Sequence, residues 1–264
     1  MTTPDVPLRL ELTFELPGTP EQLWDAIATA NGISSWFLPT DLEEREGGTI
    51  VTHMGPDQSS PGTVTGWEPP RRLRYEEPGW AGLMGHEDAS VTPLVTEFLV
   101  EARSGGTCVL RVVSSAFGTG AAWEQESFDG MEDGWRPYFD RLRLFLTNFP
   151  GQRVTLLEAQ TTLVAAQPAV LAAMREDLGI GEVGETATFH GLAGTVERVG
   201  ASDVLVHLAG ALPGFFALLA YDIGDGKVMA AVQAQLFADD AAAYVAREEP
   251  IWQAWLERLA VPVG

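Results

Sequence analysis

The side chains that could carry acid–base or metal chemistry are few and widely spaced in this chain of 264 residues. Its four histidines, His53, His86, His190 and His207, show none of the spacings that place two ligands on one metal ion. General acid–base catalysis needs two converging groups with opposed pKa shifts, and no pair of carboxylates stands out. We therefore predict no metal, no cofactor and no catalytic residue. If the protein is an enzyme, His53 and His86 are the candidates.

Two motifs that suggest ligand binding have simpler explanations. The run GIGEVG (179–184) is a literal G-x-G-x-x-G, but a helical pattern precedes it and a strand pattern follows, the reverse of a dinucleotide site. We predict a flexible loop there, with Gly179 ending the helix. The triplet His86-Glu87-Asp88 (86–88) could collect a divalent ion, but a solvated acidic loop is the favoured interpretation.

Composition and charge exclude several classes of partner. The formal net charge of −21 repels phosphate backbones and anionic lipid headgroups, so we expect neither nucleic acid nor a membrane as partner. The one cysteine, Cys108, excludes an intramolecular disulfide, is compatible with a cytoplasmic location and is predicted to be a small core residue. The uncharged run Val204–Tyr221 contains glycine and proline near its middle, which favours two short buried strands over a membrane span.

Aromatic residues are the feature of the sequence that bears most directly on function. Large rings either pack solidly in a core or line an apolar site for a small molecule, where a few polar groups orient the ligand. They are concentrated in the first half of the chain: Trp36, Phe37, Trp67, Tyr75, Trp80, Phe98, Trp123, Phe128, Trp135 and Phe139.

One long amphipathic stretch must position many of these rings. From Phe128 to Phe149 apolar residues recur every three or four positions, which predicts an α-helix of about 33 Å at ~1.5 Å per residue. Pro137 removes a backbone donor inside it and predicts a kink. A strand at 8–16, two short helices and a run of antiparallel strands precede this helix. That order favours an α+β fold in which a curved sheet wraps the helix and leaves a wedge between them.

Three segments carry a resemblance to a known family. GTVTGWEPPRRLRYEE (62–77), TEFLVEARSGGTCVLRVVSSAFG (96–118) and GWRPYFDRLRLFL (134–146) resemble the AHSA1-type branch of the START/Bet v 1-like (SRPBCC) superfamily, over roughly residues 8–148. The resemblance implies a helix-grip fold with a cavity between the sheet and the long helix. Function is not implied with equal strength, because one scaffold hosts many activities.

The second half repeats the first in condensed form. The strand at 154–164 and the helix at 168–178 repeat the strand and helix that open the chain, and Pro250 and Trp252 match Pro137 and Phe139. We predict two START/Bet v 1-like domains, at 1–150 and 151–264. The second has fewer aromatic residues and shorter loops, so its wedge is predicted to be filled by side chains.

Together these patterns predict a cytoplasmic, non-enzymatic protein whose first domain binds a small apolar or aromatic molecule. The alternatives are an aromatase/cyclase-like enzyme of the same superfamily and an Hsp90 co-chaperone. Against the latter, nothing in the chain resembles the separate chaperone-binding domain of such proteins. A homo-oligomer is left open. Six residues are predicted to line the wedge: Tyr75, Phe98, Val100, Trp135, Phe139 and Leu142.

Overall fold

The structure, a computed structural model, describes residues 5–55 and 58–259. The chain divides into two compact units, Met1–Gln152 and Arg153–Gly264. Each unit contains one antiparallel sheet, a helix that follows the first strand, and a longer helix at its end.

The first unit follows the predicted order of strand, two helices, strands and long helix, with one addition, a short helix in the loop that follows the fifth strand. Its elements are β1 (Val6–Pro17), α1 (Pro20–Ala28), α2 (Ala30–Ser34), β2 (Thr40–Leu42), β3 (Thr49–Gly55), β4 (Gln58–Glu68), β5 (Arg72–Glu77), α3 (Trp80–Leu83), β6 (Leu94–Ala102), β7 (Thr107–Gly118) and α4 (Ala122–Asn148).

Among the described residues of this unit, seven strands form one sheet in the order β1-β7-β6-β5-β4-β3-β2. The first strand therefore lies beside the last, and α1 and α2 carry the chain to the opposite edge. The alternating apolar residues of β1 fix its register, with Leu12 opposite Val112 of β7. Helix α4 packs against β1, α1 packs against β6, and the two helices contact each other, so both lie on the same face of the sheet.

The long helix begins at Ala122, six residues before the start of the predicted apolar stripe. Its first turn is held by Glu124, whose carboxylate accepts hydrogen bonds from the backbone amides of Thr119, Gly120 and Ala121. These bonds satisfy donors near the helix start that have no partner within the helix. The helix continues through Pro137, where the carbonyl four residues earlier loses its usual amide donor.

The second unit is a shorter version of the same arrangement. Its elements are β8 (Thr155–Val164), α5 (Gln167–Asp177), β9 (Thr186–Phe189), β10 (Leu192–Val199), β11 (Asp203–Ala209), β12 (Gly214–Asp222), β13 (Lys227–Leu236) and α6 (Ala241–Glu257). Within residues 153–259, six strands pair in the order β8-β13-β12-β11-β10-β9, and α6 packs against β8.

The predicted fold class is confirmed: each unit is an antiparallel sheet gripping a long helix, and the second copy is condensed. The uncharged run at 204–221 forms β11, a turn and β12, as expected. The glycine-rich run at 179–184 connects α5 to β9, with Gly179 at a positive φ of 63° just past the helix end. In the described part of the chain, no helix has the length and apolar character needed to cross a membrane.

Candidate ligand cavity

A cavity of about 320 Å³ lies between the sheet and the long helix of the first unit. That volume falls at the lower end of the range for small-molecule sites, roughly 300–1,000 Å³. Its wall is predominantly apolar and aromatic, with a few hydroxyls and one carboxyl. The lining residues are Phe37, Thr52, Met54, Ser60, Tyr75, Glu77, Trp80, Leu83, Met84, Leu94, Thr96, Ser114, Met131, Gly134, Trp135 and Tyr138.

The long helix supplies one wall of the cavity. Met131, Gly134, Trp135 and Tyr138 of α4 line it at steps of three and four residues, so they share one face of the helix. Phe37 holds this wall in place, because its ring stacks on Trp135 at 5.2 Å and meets Tyr138 edge-on at 4.6 Å. Gly134 is exposed, and a Cβ added there would meet no atom within 4 Å.

The short helix α3 supplies a second wall. Trp80 is buried, and its indole nitrogen donates a hydrogen bond to the carbonyl oxygen of Thr92 at 2.9 Å. The same ring packs edge-on against Phe128 of α4 at 5.9 Å between ring centroids. These contacts fix α3 over the sheet, so that Trp80 and Leu83 face the cavity.

The sheet supplies a floor with polar atoms. Tyr75, Thr96 and Ser114 are direct neighbours across β5, β6 and β7, so their side chains form one row on the inner face. Burial raises the pKa of Tyr75 strongly, and the nearby charge of Glu77 adds to the rise. The phenol therefore stays protonated and serves as a hydrogen-bond donor.

Glu77 contributes the carboxyl of the site. It lies two residues after Tyr75 on β5 and therefore on the same face of the sheet. Its Oε1 accepts a hydrogen bond from the Ser60 hydroxyl at 2.5 Å. Burial raises the pKa of Glu77, and the bond from Ser60 opposes that rise only in part.

Ser114 brings an unsatisfied group to the same floor. The residue is 1 % exposed, lines the cavity, and its hydroxyl has no hydrogen-bond partner among the described residues. Buried hydroxyls are normally paired, because leaving one unpaired costs about 1–3 kcal/mol. A hydroxyl of this kind in a cavity wall is available to a bound molecule.

The structure brings only two of the six predicted lining residues to the cavity wall, Tyr75 and Trp135. The other four are buried and do not line it: Phe98, Val100, Phe139 and Leu142. The ring of Phe98 lies directly behind the wall, where it contacts Tyr75 and Trp135. The ring of Phe139 stacks on Phe14 at 3.9 Å and on Trp36 at 5.6 Å, and α1 covers β6, so side chains fill that end of the wedge.

Sequence reasoning missed several residues of the cavity, above all Glu77, Ser60 and Ser114. A signal for Glu77 was present, because strand alternation places it on the same face as Tyr75. The partnership with Ser60 has no local signal, since it joins residues 17 apart on neighbouring strands.

The histidines proposed for an enzyme alternative lie outside this lining. His53 is paired with Asp41 at 3.0 Å between Nε2 and Oδ2, and both side chains are well exposed. His86 stacks on Trp123 at 4.0 Å between ring centroids. Cys108 is buried, its thiol contacts the carbonyl oxygen of Gly18 at 3.2 Å, and burial raises its pKa. Among residues 5–55 and 58–259, no cluster of three potential metal ligands occurs.

The corresponding wedge of the second unit is filled. Trp252 of α6 is completely buried and contacts Phe216 at 5.2 Å and Phe189 at 6.2 Å between ring centroids. Tyr244 of α6 is also buried, and its hydroxyl donates to the carbonyl oxygen of His190 at 3.1 Å. These rings join the apolar core of this unit.

The fold and the cavity define the first unit as a helix-grip domain with a ligand-sized space under its long helix. The model of the family described as "Activator of Hsp90 ATPase homolog 1-like protein" matches residues 17–147. The first unit is therefore an AHSA1-type domain, as the sequence resemblance implied.

Several solved structures are similar to the chain. Protein MLL2253 from Mesorhizobium loti shares 20 % identity over 54 % of this chain and 98 % of its own, with a TM-score of 0.47. The di-domain ARO/CYC BexL of the BE-7585A biosynthetic pathway shares 11 % identity over 96 % of this chain and 95 % of its own, with a TM-score of 0.45. The Aha1 dimer from Colwellia psychrerythraea shares 15 % identity over 55 % and 99 %, with a TM-score of 0.42. No curated protein sequence matches the chain significantly.

Proposed function

We propose that the first unit binds a small, predominantly apolar or aromatic molecule in the cavity beneath α4 and does not catalyse a reaction of that molecule. The observation that supports this is a space of about 320 Å³ walled by aromatic rings and methionines, with a few polar groups on its floor. Apolar walls supply affinity through burial, and a small number of polar groups supply orientation. Met54, Met84 and Met131 add adaptable surface, because methionine is flexible and polarisable.

Binding is favoured over catalysis by the titratable groups of the lining. An acid–base mechanism needs two groups whose pKa values are adjusted for opposite roles. Glu77 is the one carboxyl of the described lining, and the pKa of Tyr75 moves away from neutrality. The two histidines of the aromatase/cyclase alternative do not reach the cavity. The proposal includes a cytoplasmic location, with which the single, buried Cys108 is compatible.

The test is a titration of the full chain with prodan, a neutral naphthalene dye whose emission reports the polarity of its surroundings. We expect saturable binding of one dye per chain, with a blue shift that an unlabelled naphthalene displaces. Met131→Tyr places a ring into the cavity and should weaken binding about tenfold or more, because the cavity holds little more than one such ligand.

Glu126→Tyr is the matched control for this test. It adds the same ring to an exposed position of α4 outside the cavity lining, and should leave the affinity for prodan unchanged. No saturable dye signal from the wild-type chain, or equal loss of affinity in both variants, would refute ligand binding in this cavity.

A further inference from the structure

The charge of the cavity lining is one-sided. Among the described lining residues, Glu77 alone is a charged type, and no lysine, arginine or histidine is present. Its Oε1 accepts from Ser60, whereas Oε2 has no hydrogen-bond partner among the residues that the structure describes. A carboxylate facing an apolar cavity without a cation is disfavoured, and an opposite charge a few ångströms away would stabilise it.

The neighbouring strand β4 leaves space for the Glu77 side chain. A Cβ at Gly62 on β4 would come within 3.2 Å of the Glu77 Cγ and 2.8 Å of the Glu76 carbonyl oxygen. The glycine thus leaves the space that the Glu77 side chain occupies. Ser60, two residues earlier on β4, then holds one carboxylate oxygen in place.

The aromatic walls favour the same kind of partner as the carboxyl. Trp80, Trp135 and Tyr138 line the cavity, and the faces of such rings attract cations, with tryptophan the strongest. The net charge of −21 adds a long-range attraction for cations and a repulsion for anions. The Glu77 carboxyl, the aromatic walls and the negative net charge each disfavour an acidic ligand.

Ser114 offers a second polar contact across the floor. It lies two strands from Tyr75, which at ~4.8 Å per strand places their backbones roughly 10 Å apart. Glu77 and the unpaired Ser114 hydroxyl thus stand at separate places on one face. An elongated ligand can therefore contact Glu77 with one end of its apolar body and Ser114 with the other.

We propose that the ligand of this cavity is an aromatic or apolar amine, whose protonated nitrogen pairs with the Glu77 carboxylate while its rings lie against Trp80 and Trp135. This inference rests on the proposed function, since it names the ligand class of the same cavity. The ammonium group donates to Oε2, and Ser60 continues to hold Oε1.

The experiment compares three naphthalenes that differ at one end: 2-(2-naphthyl)ethylamine, 2-(2-naphthyl)ethanol and 2-naphthylacetate. Each is measured at pH 7 by displacement of prodan from the full chain and by direct calorimetry. We expect the amine to bind about tenfold tighter than the alcohol, as for one charge-assisted hydrogen-bonded pair, and the acetate to bind weakest.

Two substitutions with the same change in net charge assign the effect. Glu77→Gln keeps the shape of the side chain and should reduce the amine-to-alcohol ratio to about twofold or less. Glu76→Gln is the control, because Glu76 pairs with Arg74 at 2.8 Å and does not line the cavity. It should keep the wild-type ratio.

The outcomes separate the two proposals. If prodan binds but the amine shows no preference over the alcohol, or keeps its preference in Glu77→Gln, the amine inference is overturned and the cavity survives. If neither prodan nor any of the three naphthalenes binds the wild-type chain, both proposals fail. Circular dichroism and thermal unfolding of Glu77→Gln show independently of any ligand that this variant is folded.

Discussion

The wedges of the two units differ in the side chains that their closing helices contribute. In the first unit, Met131 and Gly134 of α4 leave a cavity beneath the helix. In the second, aligning Pro250 with Pro137 places Tyr244 at the position of Met131, 113 residues later. Tyr244 is buried and anchored to the His190 carbonyl, so a ring and its hydroxyl occupy the corresponding space.

The same fold can therefore enclose a cavity or have a fully packed core, depending on a few side chains of the closing helix. A protein core is close-packed, so a large residue in place of a small one leaves no room for a ligand. The first unit also has α3, which carries Trp80 over the sheet and forms a further wall. Because one wedge is open and the other is packed, equivalent mutations in the two units should differ in their effect on stability.

The largest expected difference concerns the tryptophans of the two closing helices. Trp252→Ala removes a fully buried ring from the filled wedge and should destabilise the second unit by about 3–5 kcal/mol. Trp135→Ala enlarges a space that is already open, so we expect a smaller cost, about 1–2 kcal/mol. Denaturant unfolding of both variants measures the two losses in the free energy of unfolding. Equal costs would mean that the two wedges are packed alike.

The next difference concerns the starts of the two helices. Burial raises the pKa of Glu124, but hydrogen bonds from Thr119, Gly120 and Ala121 outweigh it and lower the pKa below the ordinary 4.5. Glu124→Ala should cost about 2 kcal/mol at pH 7. Asp240→Ala should cost much less, because Asp240 at the start of α6 makes no capping hydrogen bond.

The pH dependence gives this prediction a second readout. A carboxyl with a lowered folded-state pKa stabilises the protein above its unfolded pKa, and the contribution is lost as the pH falls through the folded value. The cost of Glu124→Ala should therefore shrink as the pH is lowered below about 4.5. A cost that does not change between pH 7 and pH 3 would contradict the capping role.

A smaller effect separates two serines of the cavity floor. Ser114→Ala removes an unpaired buried hydroxyl and should leave stability unchanged or raise it by up to about 1 kcal/mol. Ser60→Ala breaks the bond to Glu77 and should cost about 1 kcal/mol. Thermal unfolding of the two variants decides this. A clear loss of stability in Ser114→Ala would show that its hydroxyl is paired within the protein.

The smallest expected effect is the pH dependence of the Glu77 contribution. Because its folded-state pKa is raised, its contribution to stability is present below the unfolded pKa and is lost as the pH rises through the folded value. Glu77→Gln does not titrate, so its stability relative to the wild type should increase between pH 4 and pH 8. Equal stability of Glu77→Gln relative to the wild type at pH 4 and pH 8 would rule out burial as the cause.

Much of the fold could be predicted because local patterns and global structure agree. The alternation in residues 8–16 and the three- and four-residue spacing after Phe128 each have one interpretation, a half-buried strand and an amphipathic helix. The early start of α4 was missed, since Glu124 acts through backbone amides of a loop and belongs to no apolar stripe. Helix α3 was missed because four residues show no periodicity.

Less of the candidate site could be predicted. An inward-facing position can be read from strand alternation, which correctly places Tyr75, Phe98 and Val100 on one face. Which end of that face is covered by α1 and which remains open depends on how the elements pack. Phe98 and Val100 lie at the covered end, whereas Tyr75 and Glu77 lie at the open end, and no local pattern distinguishes these two ends.

The most direct measurement is a crystal structure of the full chain grown with prodan. The account predicts one dye molecule between α4 and the sheet of the first unit, in contact with Trp80 and Trp135, and none beneath α6. Dye density beneath α6, or a space under α4 closed by the side chains of Met131 and Trp135, would contradict it.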